Sequence, residues 1–379
     1  MKNKLCEQFG IDFPLFAFSH CRDVVAEVTN AGGVGVLGAV GHTPESLEIE
    51  LSWIDAKVKG RPYGIDLLIP NKLEAKEGGL TAADIEARVP PEHRHYVEDL
   101  LAEHGIDTSD LWADKVGADY GDNLREAGAS RLLDVAFDHP IALVVNALGV
   151  PPASMIERAR ARGIPVGALT GAREHALRHA EAGVDILIVS GTEAGGHCGE
   201  VSTMVLVPEV LRALEPWGDR VKVLAAGGIV TGRQMAACMA MGASGVWTGS
   251  VWLTTAEAET IPTVKEKMLA ATSRDTVRSR GRTGKYTRQL RSAWTDAWHA
   301  PDAPSPLHMP FQGLLSRPAM AKIDKLAEGG HAGAKQLATY YVGQGVGLME
   351  TPQTTRQVVA SFMEDYAEAV ERLTATLGG

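Results

Sequence analysis

The stretch that decides the fold is Val184-Asp-Ile-Leu-Ile-Val-Ser-Gly-Thr-Glu-Ala-Gly-Gly-His197, where an apolar segment runs directly into a glycine-rich turn. Residues 186–189 are all apolar, which predicts a buried strand. Gly191, Gly195 and Gly196 would let backbone amides approach a ligand without side-chain obstruction. His197 would bring proton transfer near neutral pH to the end of that strand. We therefore predict an active-site loop here.

The same order of strand and glycine turn recurs twice downstream. Val221-Lys-Val-Leu-Ala-Ala-Gly-Gly-Ile229 precedes a helix-like run, and Gly245-Val-Trp-Thr-Gly-Ser250 follows it. Gly227 and Gly228, together with Thr248, Gly249 and Ser250, would offer free N–H groups and hydroxyls to one anion. In a (β/α)8 barrel, the loops after the last two strands commonly bind phosphate. We predict a phosphate site between these two loops.

Strand and helix patterns alternate through most of the chain, as expected for parallel strands joined by crossover helices. A chain of 379 residues suits one barrel with insertions. We predict an α/β protein built on a (β/α)8 barrel. The eight predicted strands are residues 14–18, 34–37, 64–69, 141–145, 165–169, 185–189, 221–225 and 245–248.

Two regions fall outside the minimal barrel. Residues 71–124 hold 13 acidic and 5 basic residues, a net −8, and we predict a solvated helical insertion after the third strand. Residues 352–377 read as one long helix with an apolar stripe, which we expect to pack on the barrel or on another subunit. The predicted organisation is a cofactor-binding barrel at 1–253 and a C-terminal helical extension at 254–379.

A run of basic residues lies in that extension. It could contact a phosphate-bearing substrate such as a coenzyme A thioester, because arginine forks suit phosphate. Pairing with the acidic insertion, or with water, is an equally simple interpretation. The run comprises Arg274, Arg278, Arg280, Arg282, Lys285, Arg288 and Arg291.

The net charge of −10 disfavours nucleic acid or an anionic membrane as the main partner, so a small molecule is expected. The N-terminus lacks an apolar run of signal-peptide length, and we expect a soluble, cytoplasmic protein. Oligomeric state is left open.

Metal binding and thiol chemistry find little support. The four cysteines lack paired Cys-x-x-Cys spacing, which argues against zinc or a disulfide framework. Cys198 adjoins His197 but has no visible orienting partner, so we interpret it as a bystander and not a nucleophile. His93, His95 and His104 cannot all share one helical face, and we predict no metal site.

Taken together, the segments 191–197, 225–229 and 247–250 resemble those of the nitronate monooxygenase family, also called 2-nitropropane dioxygenases, and related FMN-dependent enoyl reductases. The run from Phe13 to Gly38 is similar to that family's opening strands, and the likeness spans residues 13–253. Gly343-Gln-Gly-Val-Gly347 resembles a late flavin-side segment. The resemblance implies a TIM barrel holding FMN, with its phosphate at the two glycine loops described above.

For the flavin ring, the resemblance implies contacts from Ala17 and Phe18, where a Pro-Met pair is common at Phe18-Ser19. Gly195, Gly196 and Gln344 complete the implied cofactor contacts. Asp66 stands where the family often has a flavin-contacting asparagine. A carboxylate there would oppose an anionic reduced ring, whereas a shifted Asp66 would simply hydrogen-bond a neighbouring loop.

The resemblance implies oxidation of alkyl nitronates with O2 to a carbonyl compound and nitrite, with His197 accepting a substrate proton. The alternative is an FMN-dependent reductase or dehydrogenase of enoyl or acyl-CoA thioesters that uses NAD(P)H, which the basic run and the large insertion favour. A third reading is a noncatalytic flavin-binding protein. Glu193 could orient His197, bind a ribityl hydroxyl or face solvent.

Overall fold

The computed structural model describes residues 3–69, 88–113 and 126–376. Eight parallel strands form a closed barrel in which each strand pairs with the next and the last pairs with the first. This architecture confirms the predicted (β/α)8 barrel, and each strand overlaps its predicted position. The strands are β1 (Leu15–Ser19), β2 (Val34–Gly38), β3 (Gly64–Leu67), β4 (Leu143–Asn146), β5 (Val166–Thr170), β6 (Ile186–Ser190), β8 (Lys222–Ala226) and β9 (Gly245–Thr248).

Alternation along each strand divides the core into two layers. Phe16, Val36 and Ile188 belong to the cluster inside the barrel. Leu15 and Val189 belong to the cluster between strands and helices. Parallel strands buried on both faces read as continuous apolar runs, which is why their positions were visible in the sequence.

Helices surround the barrel and occupy most of the C-terminal region. Capping boxes at Thr43 and Thr231 mark the starts of two of them. The helices are α1 (Lys4–Phe9), α2 (Arg22–Asn30), α3 (Pro44–Val58), α4 (Pro91–Glu103), α5 (Glu126–Asp138), α6 (Ala153–Arg160), α7 (Arg173–Ala182), α8 (Thr203–Ala213), α9 (Gly232–Ala240), α10 (Pro262–Ala270), α11 (Ala293–Ala297), α12 (Phe311–Glu328), α13 (Ala332–Leu337) and α14 (Thr355–Thr376). None of the described helices combines the length and hydrophobicity of a membrane span.

The predicted insertion at 71–124 is described only over residues 88–113, and its other residues lie outside the described part. Helix α4 confirms helical structure there and packs against α12. The Tyr96 hydroxyl donates to the carbonyl oxygen of Ala297 at 2.7 Å, and the His93 ring contacts the carbonyl oxygen of Ser305 at 3.0 Å. This part of the insertion therefore docks onto the C-terminal region.

The C-terminal region is not purely helical, which corrects the predicted helical extension at 254–379. Strands β10 (Thr276–Ser279) and β11 (Thr287–Leu290) pair antiparallel, and β11 also pairs with the two-residue β7 (Gly196–His197). The sequences Thr-Val-Arg-Ser and Thr-Arg-Gln-Leu lack apolar alternation, so they gave no strand pattern. The boundary at residue 253 stays a prediction.

Helix α14 packs on the barrel's own helices, the first of the two packing partners expected from the sequence. Val358, Val359 and Phe362 are buried against α9 and α2. The first residue of α9 is Gly232. A larger residue would not fit there, because an added Cβ would lie 1.9 Å from the Phe362 carbonyl oxygen. The far end of the apolar stripe, including Leu373, is exposed.

Candidate active site

The loop after β6 is fixed at both ends by backbone hydrogen bonds. The N–H of Gly191 donates to the carbonyl oxygen of Ala226 at 3.2 Å, and that of Thr192 donates to Val201 at 2.8 Å. Gly196 has φ of +72°, a conformation that favours glycine, and it leads directly into the strand pairing of His197 with Thr287. His197 is therefore held by a strand of the C-terminal region.

Glu193 caps a helix. Its carboxylate accepts the N–H of Thr203 at 2.9 Å and the Thr203 hydroxyl at 3.1 Å, at the first residue of α8. A carboxylate at a helix N-terminus is favoured by the unpaired N–H groups and the helix dipole. Of the three roles left open for Glu193, the contacts support none directly, because this carboxylate anchors the loop to α8.

Part of the His197 side chain is exposed to solvent. Protein atoms surround the rest of the ring. Desolvation, with repulsion from Lys285, lowers the pKa of His197 to about 4. The imidazole is thus neutral at pH 7, the state in which it can accept a proton.

The hydroxyl of Thr283 determines which ring nitrogen of His197 is free. Thr283 Oγ1 lies 3.2 Å from His197 Nε2, and the same hydroxyl donates to the carbonyl oxygen of Lys285 at 3.1 Å. A hydroxyl has one proton to donate, and when that proton goes to the nearer Lys285 carbonyl, Thr283 acts as acceptor toward the ring. We infer that Nε2 carries the hydrogen and that Nδ1 presents the lone pair.

The predicted phosphate site has the features that an anion requires. Gly227 and Gly228 have φ of +106° and +69°, and they lie just before the N-terminus of α9. Within the described ranges, the N–H groups of Gly228 and Gly249 have no acceptor. An added Cβ at Gly249 would meet no atom within 4 Å, so the backbone is open to a ligand. These residues fit a phosphate-bearing cofactor.

Thr248 could contribute to this site only through its backbone. Its hydroxyl donates to the carbonyl oxygen of Phe16 at 3.1 Å and accepts the indole N–H of Trp252 at 3.0 Å. The side chain is almost wholly buried, so it supports the strand end and is not directed at an anion.

The other predicted cofactor segments come together around the catalytic loop. The N–H of Gln344 donates to the carbonyl oxygen of Glu193 at 2.8 Å, and that of Gly343 donates to Ser250 Oγ at 2.8 Å. An added Cβ at Gly195 would lie 2.8 Å from the Gly343 nitrogen. The segments near 195, 250 and 344 are therefore in direct contact, although their roles toward a flavin stay predictions.

Across the barrel, Phe18 lines the interior and stacks with Trp247 at 6.1 Å between ring centroids. Ala17 has the opposite orientation, and its methyl group is buried in the layer between strands and helices. Only the backbone of Ala17 could therefore face a ligand in the barrel.

Asp66 is buried, and neither of its carboxyl oxygens has a hydrogen-bond partner within the described ranges. Desolvation raises the pKa of Asp66 well above its usual range. Desolvation therefore opposes the negative charge considered from the sequence, and the role of Asp66 toward a flavin stays a prediction. A neutral carboxyl can donate a hydrogen bond as an asparagine amide can.

Thr283 and His20 were missed by the sequence reasoning. The Nδ1 atom of His20 lies 3.0 Å from the carbonyl oxygen of Gly38, and its ring meets Phe18 edge-on at 5.1 Å. Its position directly after β1 was the available signal, because barrel active sites lie at the C-terminal ends of strands. Thr283 gave no signal, since it is 86 residues from His197.

Comparison with known proteins agrees with this geometry. The family profile described as nitronate monooxygenase matches residues 2–365. The chain belongs to the nitronate monooxygenase family. It is accordingly an oxidoreductase of the nitronate monooxygenase type.

Several relatives of this family member cover nearly the whole chain. A Mycobacterium tuberculosis protein named as a monooxygenase is 51% identical over 376 residues, covering 98% of each chain. A Staphylococcus aureus protein named as a nitronate monooxygenase is 25% identical, covering 92% of this chain and 93% of the relative.

Solved structures give the same result for this nitronate monooxygenase family chain. Nitroalkane oxidase from Streptomyces ansochromogenes matches with a TM-score of 0.78 and 25% identity, covering 98% of this chain and 100% of the other. FabK from Thermotoga maritima shares the fold, with a TM-score of 0.69, 24% identity and 99% coverage of both chains.

Proposed function

We propose that the protein is an FMN-dependent nitronate monooxygenase that oxidises alkyl nitronates with O2 to a carbonyl compound and nitrite. The observation that carries the proposal is the position of His197, which Thr283 contacts at Nε2, on a loop that contacts the segment at 343–344 near Ser250. A neutral base beside a redox cofactor suits removal of a carbon-bound proton.

The phosphate of FMN would bind the backbone N–H groups of Gly227, Gly228, Gly249 and Ser250, whose glycine turns and open N–H groups suit a dianion. Bound FMN would supply electron transfer from the nitronate to O2. The remaining proposed contacts are Ala17 and Thr248 through their backbones, Phe18, Asp66, Gly195, Gly196 and Gln344.

His197 would act at Nδ1 on the neutral nitroalkane, by accepting the proton of the carbon that bears the nitro group, and this step yields the nitronate that is then oxidised. Thr283 would hold the ring by accepting the hydrogen on Nε2, so the lone pair of Nδ1 stays on the side of the ring away from Thr283. Lys285 disfavours the imidazolium, which keeps the base unprotonated before reaction.

The experiment is anaerobic flavin reduction in the FMN-loaded protein, followed by absorbance. We expect an alkyl nitronate alone to reduce the flavin, and O2 to reoxidise it with release of nitrite. In His197→Asn we expect flavin reduction by the neutral nitroalkane to slow at least about a hundredfold, the lower range for loss of a general base, and reduction by the preformed nitronate to change much less. His95→Asn is the matched control, because His95 is an exposed histidine on α4.

Reduction by NADH or NADPH, without reduction by any nitronate, would reject the proposal. It would favour the second candidate, a reductase or dehydrogenase of enoyl or acyl-CoA thioesters. The observation that favours this candidate is the positive charge of Lys285, which is exposed beside His197.

A further inference from the structure

The basic run of the C-terminal region separates into residues used by the fold and residues left for a ligand. Arg280 donates to the carbonyl oxygens of Gly284 at 3.0 Å and Pro306 at 3.3 Å. Arg288 donates to Thr192 at 2.9 Å and to Thr276 at 3.1 Å. Arg291 pairs with Asp296 at 2.8 Å. These three arginines are therefore structural, and the run is not a single phosphate-binding surface.

Arg282 differs from them, because most of its donors have no partner among the described residues. Its guanidinium lies 4.3 Å from the ring centroid of Tyr341 and 5.7 Å from that of Tyr340. Within the described ranges, its guanidinium makes one hydrogen bond, a long contact of 3.4 Å to the carbonyl oxygen of Thr339. Among the described residues, no carboxylate oxygen lies within 4.0 Å of it. The rings of Tyr340 and Tyr341 therefore hold a guanidinium that pairs with no carboxylate of the described residues.

The nearest acidic influence is Asp324 on α12. Burial raises the pKa of Asp324 to about 6, although attraction from Arg282 acts in the opposite direction. The Oδ1 atom of Asp324 has no hydrogen-bond partner. This carboxyl group therefore lies near Arg282 without pairing with it, and the guanidinium donors stay available.

Strand pairing places Arg282 near His197. His197 pairs with Thr287 of β11, and Tyr341 forms an isolated bridge to Gln289, two residues further along the same strand. Paired residues of antiparallel strands share a face, and residues two apart on one strand share it too. The His197 and Tyr341 side chains therefore lie on one face, about 7 Å apart along the strand.

We propose that Arg282 anchors an oxyanion at the distal end of the substrate, a carboxylate or a phosphate, while the reacting carbon lies at His197. A planar guanidinium held against aromatic rings binds either group through two parallel hydrogen bonds. The assignment rests on the proposed function, since it concerns the substrate of the same site. It makes Arg282 a specificity residue, with Lys285 adding positive charge on the same hairpin.

The test compares two nitronates of equal chain length, propionate 3-nitronate and propyl-1-nitronate, which differ in a terminal carboxylate. In Arg282→Gln we expect KM for propionate 3-nitronate to rise about ten- to a hundredfold, the range for one charged hydrogen-bonded contact. KM for propyl-1-nitronate should change less than about threefold, and Arg282→Lys should be intermediate. Arg291→Gln, from the same basic run, should match the wild type. Equal rises for both nitronates, or no rise for either, would overturn the proposal.

A binding measurement separates this proposal from the proposed function. The FMN-loaded, oxidised protein is titrated with 3-nitropropionate and with 1-nitropropane, and the flavin absorbance change reports binding without turnover. Arg282→Gln should weaken only 3-nitropropionate, while FMN affinity is unchanged. If no nitronate reduces the wild-type flavin, the proposed function fails, and this titration still decides the role of Arg282. Competition by inorganic phosphate, lost in Arg282→Gln, would identify phosphate as the preferred oxyanion, and its absence would identify carboxylate.

Discussion

At the residue scale, the Thr283 hydroxyl is the contact that distinguishes His197 from an ordinary loop histidine. We expect Thr283→Val to lower kcat about tenfold, the effect of one lost hydrogen bond of average strength, because both ring nitrogens then compete for the hydrogen. Thr283→Ser should restore kcat, and FMN affinity should be equal in all three proteins. Steady-state kinetics with one neutral nitroalkane measures the effect. A Thr283→Ser variant as slow as Thr283→Val would show that the methyl group matters and not the hydroxyl.

The charge state of His197 gives a second prediction at this scale. Its pKa is lowered to about 4, so the ring stays neutral as pH falls from 8 to about 5.5. The base-dependent part of kcat/KM should therefore be flat over that interval and decline only as pH approaches 4. A pH profile of flavin reduction by a neutral nitroalkane measures this. A decline centred near 6.5, the ordinary histidine pKa, would contradict it.

At the scale of elements, His139 joins α5 to α3. Its ring lies 2.7 Å from Asp55 and 3.1 Å from Glu48. Burial opposes protonation, but the hydrogen bonds and charges of these two carboxylates outweigh it and raise the pKa of His139. A histidine with a raised pKa stabilises the fold fully below its unfolded value of 6.5, and the stabilisation is lost as pH rises through the folded pKa.

We therefore expect His139→Gln to lower the free energy of unfolding by about 1 kcal/mol at pH 6, a modest figure because Glu48 is half exposed and screened by solvent. The loss should be smaller at pH 8.5, where less of the histidine is protonated. Urea denaturation at both pH values measures the difference. His95→Gln supplies a control on an exposed histidine. A larger loss at pH 8.5 than at pH 6 would refute the assignment.

Helix packing gives a further prediction. Gly232 begins α9 against the backbone of α14, and Asp365 of α14 accepts the N–H of Arg233 at 2.7 Å. Gly232→Ala should lower the free energy of unfolding by about 1–3 kcal/mol through overpacking, and should weaken FMN binding because α9 follows the phosphate loop. Gly313→Ala in α12 is the control, because its Cβ would make only ordinary contacts. Thermal unfolding and FMN titration measure both effects, and an unchanged midpoint in Gly232→Ala would contradict the packing argument.

At the scale of the whole molecule, the barrel could be predicted from the sequence because its strands are buried on both faces. Residues 186–189 and 221–225 are continuous apolar segments followed by glycine turns, and both signals are local. The three-stranded sheet could not be predicted in the same way. Strand β11 is mostly polar, yet all four of its residues are buried.

The residues of the candidate site also differ in whether a local sequence pattern predicts them. His197 and the glycines at 227 and 228 follow strands directly, so their clustering was predictable. The roles of Thr283 and Arg282 depend on contacts with residues far away in the chain, and the raised pKa of Asp66 depends on burial that no local pattern reports. The charge pattern predicted the roles of individual residues least well, because the residues of the basic run look alike in the sequence but have separate roles in the structure.

The pairing of β7 with β11 also has a temporal consequence. During synthesis, His197 leaves the ribosome about 90 residues before Thr287, and Gln344 follows still later, yet both hold its loop. The last barrel strand is complete at Thr248. A nascent chain can therefore close the barrel before His197 has a partner strand, so the candidate site is complete only near the end of translation.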